Sequence, residues 1–239
     1  MNESQSQHKS IYINIPAVFL AFIIDISFIF IYSFIHINYY NGKIFSVLIG
    51  IIGFISSISI EGAIMSSIVQ MLGKDSKWLI PFSLSFPGIF EETGRYLCFK
   101  FILIKDENKN KSIGYGIGHG GFESCLVGAT LLVYLIYKDS LIKQGVIKEN
   151  MTFITLFYGV FERFISVLIQ ISFSVMVFKA VKEENINYYI LAILLHDFFD
   201  FFAFLYQKKI VKNILVIELI IFFLGIIFSK YAYKLYTLA

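Results

Sequence analysis

The chain has 239 residues, 57% of them hydrophobic and only 15% charged. With a mean hydropathy of +0.74, this composition excludes a water-soluble globular domain. The net charge of +3 at pH 7 is too small and too scattered along the chain to predict a nucleic-acid partner.

A helix needs about 20 apolar residues to cross a hydrocarbon core of roughly 30 Å. In chain order, seven stretches supply that length: 15–37, 44–72, 78–104, 113–137, 151–181, 188–206 and 214–233. They are long, continuous and rich in Ile, Leu and Phe, without the two-residue alternation of a membrane barrel. The expected fold is therefore all-α, a polytopic transmembrane bundle of about seven spans, with six to eight as the range. The longest hydrophilic interval, 138–150, is too short for a folded domain, so 1–239 is read as one integral-membrane domain. The first span is longer than a signal-peptide core and lacks a small-residue cleavage pattern, so it is expected to remain in the mature protein. Cys98 and Cys125 fall inside spans, which favours packing over a disulfide framework. Lysines divide evenly between the two sides, so orientation stays open.

Ionisable groups in the bilayer interior are costly unless they face protein or water, which makes each one a functional candidate. The third span contains Glu91, Glu92 and Arg95. On a helix both acids reach the same Arg, at four and three residues' spacing, so one is expected to pair with it and the other to face a cavity. An internal salt bridge explains one acid; it leaves the second unexplained. The fourth span opens with a glycine-rich run around His119, and Glu123 follows one turn later on the same face, which reads as open and polar. Glycines there also permit close helix packing. The fifth span carries Glu162, Arg163, Ser166, Gln170 and Ser174, and the four-residue recurrence of 162, 166, 170 and 174 makes a stripe that must face the interior. Interhelical hydrogen bonding explains that stripe as well as catalysis does. In the sixth span His196 and Asp200 lie one turn apart, suiting metal ligation or an acid-oriented histidine.

Paired Glu, two His and an Asp on separate helices are the working parts of a hydrolase: a carboxylate to activate water, and imidazoles to hold a metal or stabilise an oxyanion. The order Glu91-Glu92-x-x-Arg95, Tyr115-x-x-x-His119 and His196-x-x-x-Asp200 resembles the three motifs of the CAAX-prenyl-protease and bacteriocin-processing superfamily of intramembrane proteases. The runs GYGIGHGGFES, FER and LLHDFFDF are most similar to its YhfC branch, described as intramembrane metalloproteases, and the resemblance extends from about residue 44 to 204. It implies that Glu91, helped by Glu92, activates water. It also implies that His119 and His196, with Glu91, bind a metal such as zinc, or that the two imidazoles bind the oxyanion. Arg95 would orient the acids, and Asp200 would stand where Asn is common. A further His is frequent in that branch near Gln170, and Gln170 is no strong zinc ligand. The implied partners are membrane lipid and a peptide or membrane-protein substrate, and the implied location is a bacterial cell membrane.

Two other readings use the same residues. Buried acids, His and Arg also build proton-coupled transporters, although no inverted repeat is visible here. A protease fold kept for peptide binding or immunity, without hydrolysis, is the other.

Overall fold

The computed structural model describes residues 11–105, 108–147 and 150–238. Eight α-helices follow in order: α1 (Ile15–Tyr39), α2 (Ile44–Leu72), α3 (Leu79–Leu97), α4 (Lys111–Ile136), the short α5 (Lys138–Lys143), α6 (Phe153–Lys182), α7 (Ile186–Gln207) and α8 (Ile214–Leu238). Among the described residues, extended pairing is limited to one isolated bridge between Ile13 and Met151. The protein is an all-helical, multi-pass membrane protein. Six helices are long and apolar enough to cross a bilayer: α1, α2, α4, α6, α7 and α8. The third expected span, α3, is not among these six; it has 19 residues and carries Glu91, Glu92 and Arg95. It continues through a π-helical turn, Cys98–Ile102, where the expectation was one uninterrupted helix to residue 104. The hydrophilic interval after α4 contains the short helix α5.

Helix ends follow local chemistry. Asn14 caps α1 by accepting from the Ala17 amide, with Pro in the first turn. Thr152 and Thr155 exchange side chain-to-backbone bonds at the start of α6, reciprocally satisfying two amides that have no intrahelical partner.

Two clusters of contacts define the ends of the bundle. At one, Asn14 N donates to the Met151 carbonyl and Met151 N to that of Tyr12. At the other, Asn108 donates to the Asn41 carbonyl, Asn110 donates to that of Tyr40, and the Tyr236 hydroxyl donates to Asn110. Helix α4 lies at the centre, packed against α1, α2 and α6. Helices α2, α3, α7, α6 and α4 form a closed ring, each touching the next, with α1 and α8 outside it.

Glycines make the α2–α4 contact possible. A Cβ on Gly50 would run into the Tyr115 carbonyl oxygen, and one on Gly118 into that of Val47. Helix backbones at such close approach gain packing that lipid cannot supply. Packing is uneven along the bundle axis. Buried residues of α2 stop at Ser57, those of α4 at Gly128, and those of α3 begin at Gly88. The half towards the Tyr40–Tyr236 end is filled by a core that includes Phe99, Leu103, Tyr115, Phe173, Val177 and Phe228. The other half of the ring is splayed at α2, α3 and α7, whose turns there carry no buried residues, while α1, α4 and α6 close on a small core around Ala17, Val18, Ala21 and Leu156.

Candidate active site

Glu91 and Glu92 part company as adjacent residues on a helix must, being about 100° apart around its axis. Glu92 is fully buried, and its Oε2 lies 3.4 Å from Arg95 Nε. Its other oxygen, Oε1, is 2.8 Å from His196 Nδ1. Glu91 takes the cavity side: its Oε2 accepts from His119 Nε2 at 2.8 Å and stands 3.7 Å from His196 Nε2. Asp200 Oδ2 is 3.8 Å from the same His196 nitrogen. Side chains from α3, α4 and α7, far apart in sequence, thus meet around one carboxylate oxygen, Glu91 Oε2.

Packing fixes both imidazoles. His196 stacks on Phe173, with centroids 5.0 Å apart and planes 8° from parallel. His119 is 0% exposed and sits against Phe54 at 4.7 Å, so the face read as open and polar is closed at His119. Its Nδ1 is buried without a hydrogen-bond partner among the described residues.

Arg95 is the anchor behind the pair. Its Nη1 donates to the Gln170 carbonyl (2.9 Å) and to Ser174 Oγ (3.1 Å), and its Nη2 to Gln170 Oε1 (2.6 Å). The guanidinium also lies over the Tyr115 and Phe173 rings at 5.7 and 5.8 Å, close enough for cation–π attraction. Gln170 continues the chain by donating from Nε2 to Glu123 Oε2 at 3.2 Å, and Arg163 donates to Glu123 Oε1 at 2.7 Å and to Glu162. The stripe on α6 therefore faces inward, as its spacing predicted. Its members Gln170 and Ser174 bind Arg95 across helices.

A cavity of about 250 Å³ joins these groups, reached by Glu91, His196 and Asp200 at one side and Glu123, Glu162 and Arg163 at another. Ile221 of α8 adds an apolar wall. Four further ionisable residues escaped the sequence reading. Glu61 on α2 is half-buried and within electrostatic range of Glu91, Asp200 and His196; buried Asp25 and Glu218 are within range of Glu162 and Arg163, and buried His36 lies towards the Tyr40–Tyr236 end. The signal was available, since each is a single ionisable residue in an apolar run.

A metal can be tested against these donors. Zinc favours imidazole and carboxylate ligands at about 2.0–2.2 Å, which puts tetrahedral donors roughly 3.3 Å from one another. His119 Nε2 and His196 Nε2, at 2.8 and 3.7 Å from Glu91 Oε2, straddle that spacing. Glu92 on His196 Nδ1 supplies the outer carboxylate that usually orients a ligating histidine. The donor kinds fit. In this conformation, however, Glu91 bonds directly to His119, and among the described residues no three His, Cys, Asp or Glu side chains stand in a metal-holding arrangement.

The fold and site define a class: a multi-pass helical membrane protein with a carboxylate set between two buried imidazoles. The sequence model of the YhfC intramembrane metalloprotease family matches residues 22–221, and the chain belongs to that family. It is also 32% identical over 153 residues to the uncharacterized membrane protein YhfC of Bacillus subtilis (strain 168). That match covers 56% of this chain and 59% of the relative, so the chain spans about three-fifths of the length of the curated relative it matches.

Proposed function

We propose that the protein is an intramembrane endopeptidase, hydrolysing a peptide bond at or within the membrane in the cavity beside Glu91. The observation that carries this reading is the placement of Glu91 Oε2 against the Nε2 atoms of both His119 and His196 at the wall of a cavity. Glu91 accepts the proton of the attacking water, as a general base must lie within hydrogen-bond reach of it. The two imidazoles donate towards the oxygen that gains charge as the scissile carbonyl becomes tetrahedral. Glu92 holds the His196 ring through Nδ1, and Arg95 holds Glu92. Asp200 faces the same reacting centre, and Glu61 lies within electrostatic range of it. If a metal is bound, His119, His196 and Glu91 would hold it, and it would supply Lewis acidity and an activated water.

The splayed half of the ring supports substrate entry from the end where Tyr12 meets Asn150, because the opposite half is filled by the aromatic core. The three-motif resemblance to the CAAX-prenyl-protease superfamily supports the same chemistry.

The direct His119–Glu91 bond and the engagement of Gln170 by Arg95 and Glu123 favour one second reading: a peptide-binding protein on this fold that does not hydrolyse. Purified protein in detergent, assayed by mass spectrometry against a library of membrane-segment peptides, separates the two. Cleavage by the wild type, lost in Glu91→Gln and in His119→Ala, is the expected result. Peptide retention unaffected by Glu91→Gln, with no cleaved product, would establish the binding protein instead, and substrate-driven proton flux in proteoliposomes would establish a transporter.

A further inference from the structure

Helix α7 brings His196 to the site, yet little of it is buried: of its 22 residues, Ala192, His196 and Phe199. It packs mainly on α3 and α6. Against α3 it runs antiparallel, because Tyr189, His196 and Asp197 meet Thr93, Glu92 and Gly88 in turn. At the first of these contacts Thr93 gives its own proton to the Ile89 carbonyl, so the Tyr189 hydroxyl is the donor to Thr93 Oγ1, at 2.7 Å. The Tyr96 ring packs on Tyr189 beside it, with centroids 5.0 Å apart. In the middle lies the 2.8 Å bond between His196 Nδ1 and Glu92 Oε1.

The third contact has no such bond. Asp197 follows His196 directly, and its Oδ1 is buried against the Gly88 backbone without a hydrogen bond of normal geometry among the described residues. An unsatisfied buried oxygen is costly, so bonding does not hold the carboxyl there; its fit against a residue that has no Cβ does. A Cβ on Gly88 would strike Asp197 Oδ1 and stand 2.9 Å from the Ile193 carbonyl oxygen. Gly88 is also the first buried residue of α3 and follows Pro87, whose missing N–H removes one rung of the helix. The Asp197 contact thus lies where the seated part of α3 gives way to its splayed part, one turn before Glu92. Moving α7 by one residue along α3 means a 1.5 Å rise and a turn of about 100°, more than the Glu92–His196 bond tolerates.

We infer that Asp197 is a positioning residue: seated in the Gly88 notch, it holds α7 in register with α3, keeping His196 Nδ1 on Glu92 and His196 Nε2 towards Glu91. Its consequence for hydrolysis rests on the endopeptidase reading above; its hold on the imidazole does not.

The test reads the ring without substrate. In the full chain labelled with 15N-histidine in detergent, the His196 Nδ1 proton should give a downfield resonance protected from exchange, assigned by its loss in His196→Gln. Asp197→Ala and Gly88→Ala should each abolish that protection. Asp197→Asn, which keeps the shape and removes the charge, should retain it and unfold no more readily than wild type. Adding Gly88→Ala to Asp197→Ala should do little further harm, because the first atom its methyl would strike has gone. Leu156→Ala, in the small core between α1 and α6, serves as the comparison for lost stability alone and should keep the resonance. Should Asp197→Ala not yield folded protein, Asp197→Ser carries the same expectation. Where peptide is cleaved, Asp197→Ala should lower kcat about tenfold or more with KM changed by less than about threefold, and Asp197→Asn should restore kcat. Protection kept in Asp197→Ala, or lost equally in Asp197→Asn, would overturn the inference, as would its loss in Leu156→Ala. A wild type that cleaves no peptide but behaves as described in the resonance experiment would remove the endopeptidase reading and leave the positioning of His196 intact.

Discussion

Replacing Arg95 with Met should be among the most damaging single changes in the protein, and its cost can be worked out from the contacts. The guanidinium is 0% exposed and makes three hydrogen bonds to α6, two to Gln170 and one to Ser174. Interhelical bonds in membrane proteins average about 0.6 kcal/mol, so three amount to about 2 kcal/mol. The larger loss comes from Glu92, left in the core without its cation at 3.4 Å. Stranding one member of a buried pair brings the total to about 3–5 kcal/mol. Met keeps most of the volume and the contact with the Phe173 and Tyr115 rings, so packing alone does not account for such a loss. The assay is reversible unfolding in mixed detergent micelles, run as a cycle with Glu92→Gln and the double variant. The double variant should recover about 2 kcal/mol relative to the sum of the singles, because neutralising Glu92 removes the stranded charge. An Arg95→Met cost below about 1 kcal/mol, or a strictly additive cycle, would show that the pair is not the anchor described here.

Gly118→Ala should cost about 1–3 kcal/mol, since its new methyl overlaps the Val47 carbonyl and overpacking carries that penalty. Gly159→Ala, where nothing lies within 4 Å, should instead be neutral or stabilise α6 by up to about 1 kcal/mol, and the same unfolding assay reads both. Glu91→Gln should keep the fold while reducing peptide cleavage at least about 100-fold, as expected when a general base is lost; unchanged cleavage would remove Glu91 from the chemistry. If zinc copurifies, His196→Ala should lower its stoichiometry, measured by plasma mass spectrometry, and dialysis against a chelator should do the same. Gln170→Ala should lower stability, because Gln170 binds Arg95 and Glu123, and should lower that stoichiometry less than His196→Ala does. A fall in zinc equal to that of His196→Ala would place Gln170 among the ligands.

Spans were legible because hydrophobic length is a one-dimensional property. The predicted limits of α2, 44–72, coincide with the helix; those of α6 and α7 differ by one to two residues at each end. The division of labour between Glu91 and Glu92 was legible in kind, since adjacent helical residues diverge, but which acid took Arg95 was not. Both spacings reach an arginine, and the choice rests on Gln170 and Ser174 of α6 holding that guanidinium on the Glu92 side. Gln170 was read as a failed ligand because sequence gives a residue's type and not its partner. In the fold it links Arg95 of α3 to Glu123 of α4. The lone acids were overlooked for a different reason. Glu61 gains meaning only once α2 closes the ring opposite α7, a contact between residues far apart in sequence.

That ring explains why an acid from every one of its helices is tolerated within the bilayer. Glu61 comes from α2, Glu91 from α3, Glu123 from α4, Glu162 from α6 and Asp200 from α7. Arg163 compensates Glu123 and Glu162 directly, and His119 and His196 attend Glu91. Filling the ring throughout would leave the remaining carboxylates dry and unpaired, at a cost no nearby cation offsets. Leaving it splayed throughout would give up the core that fixes His196 on Phe173 and Arg95 on Tyr115. A ring packed tightly at one half and parted at the other satisfies both demands: the closed half sets the geometry of the imidazoles and Arg95, and the parted half leaves Glu91, Glu123, Glu162 and Asp200 at the wall of a cavity.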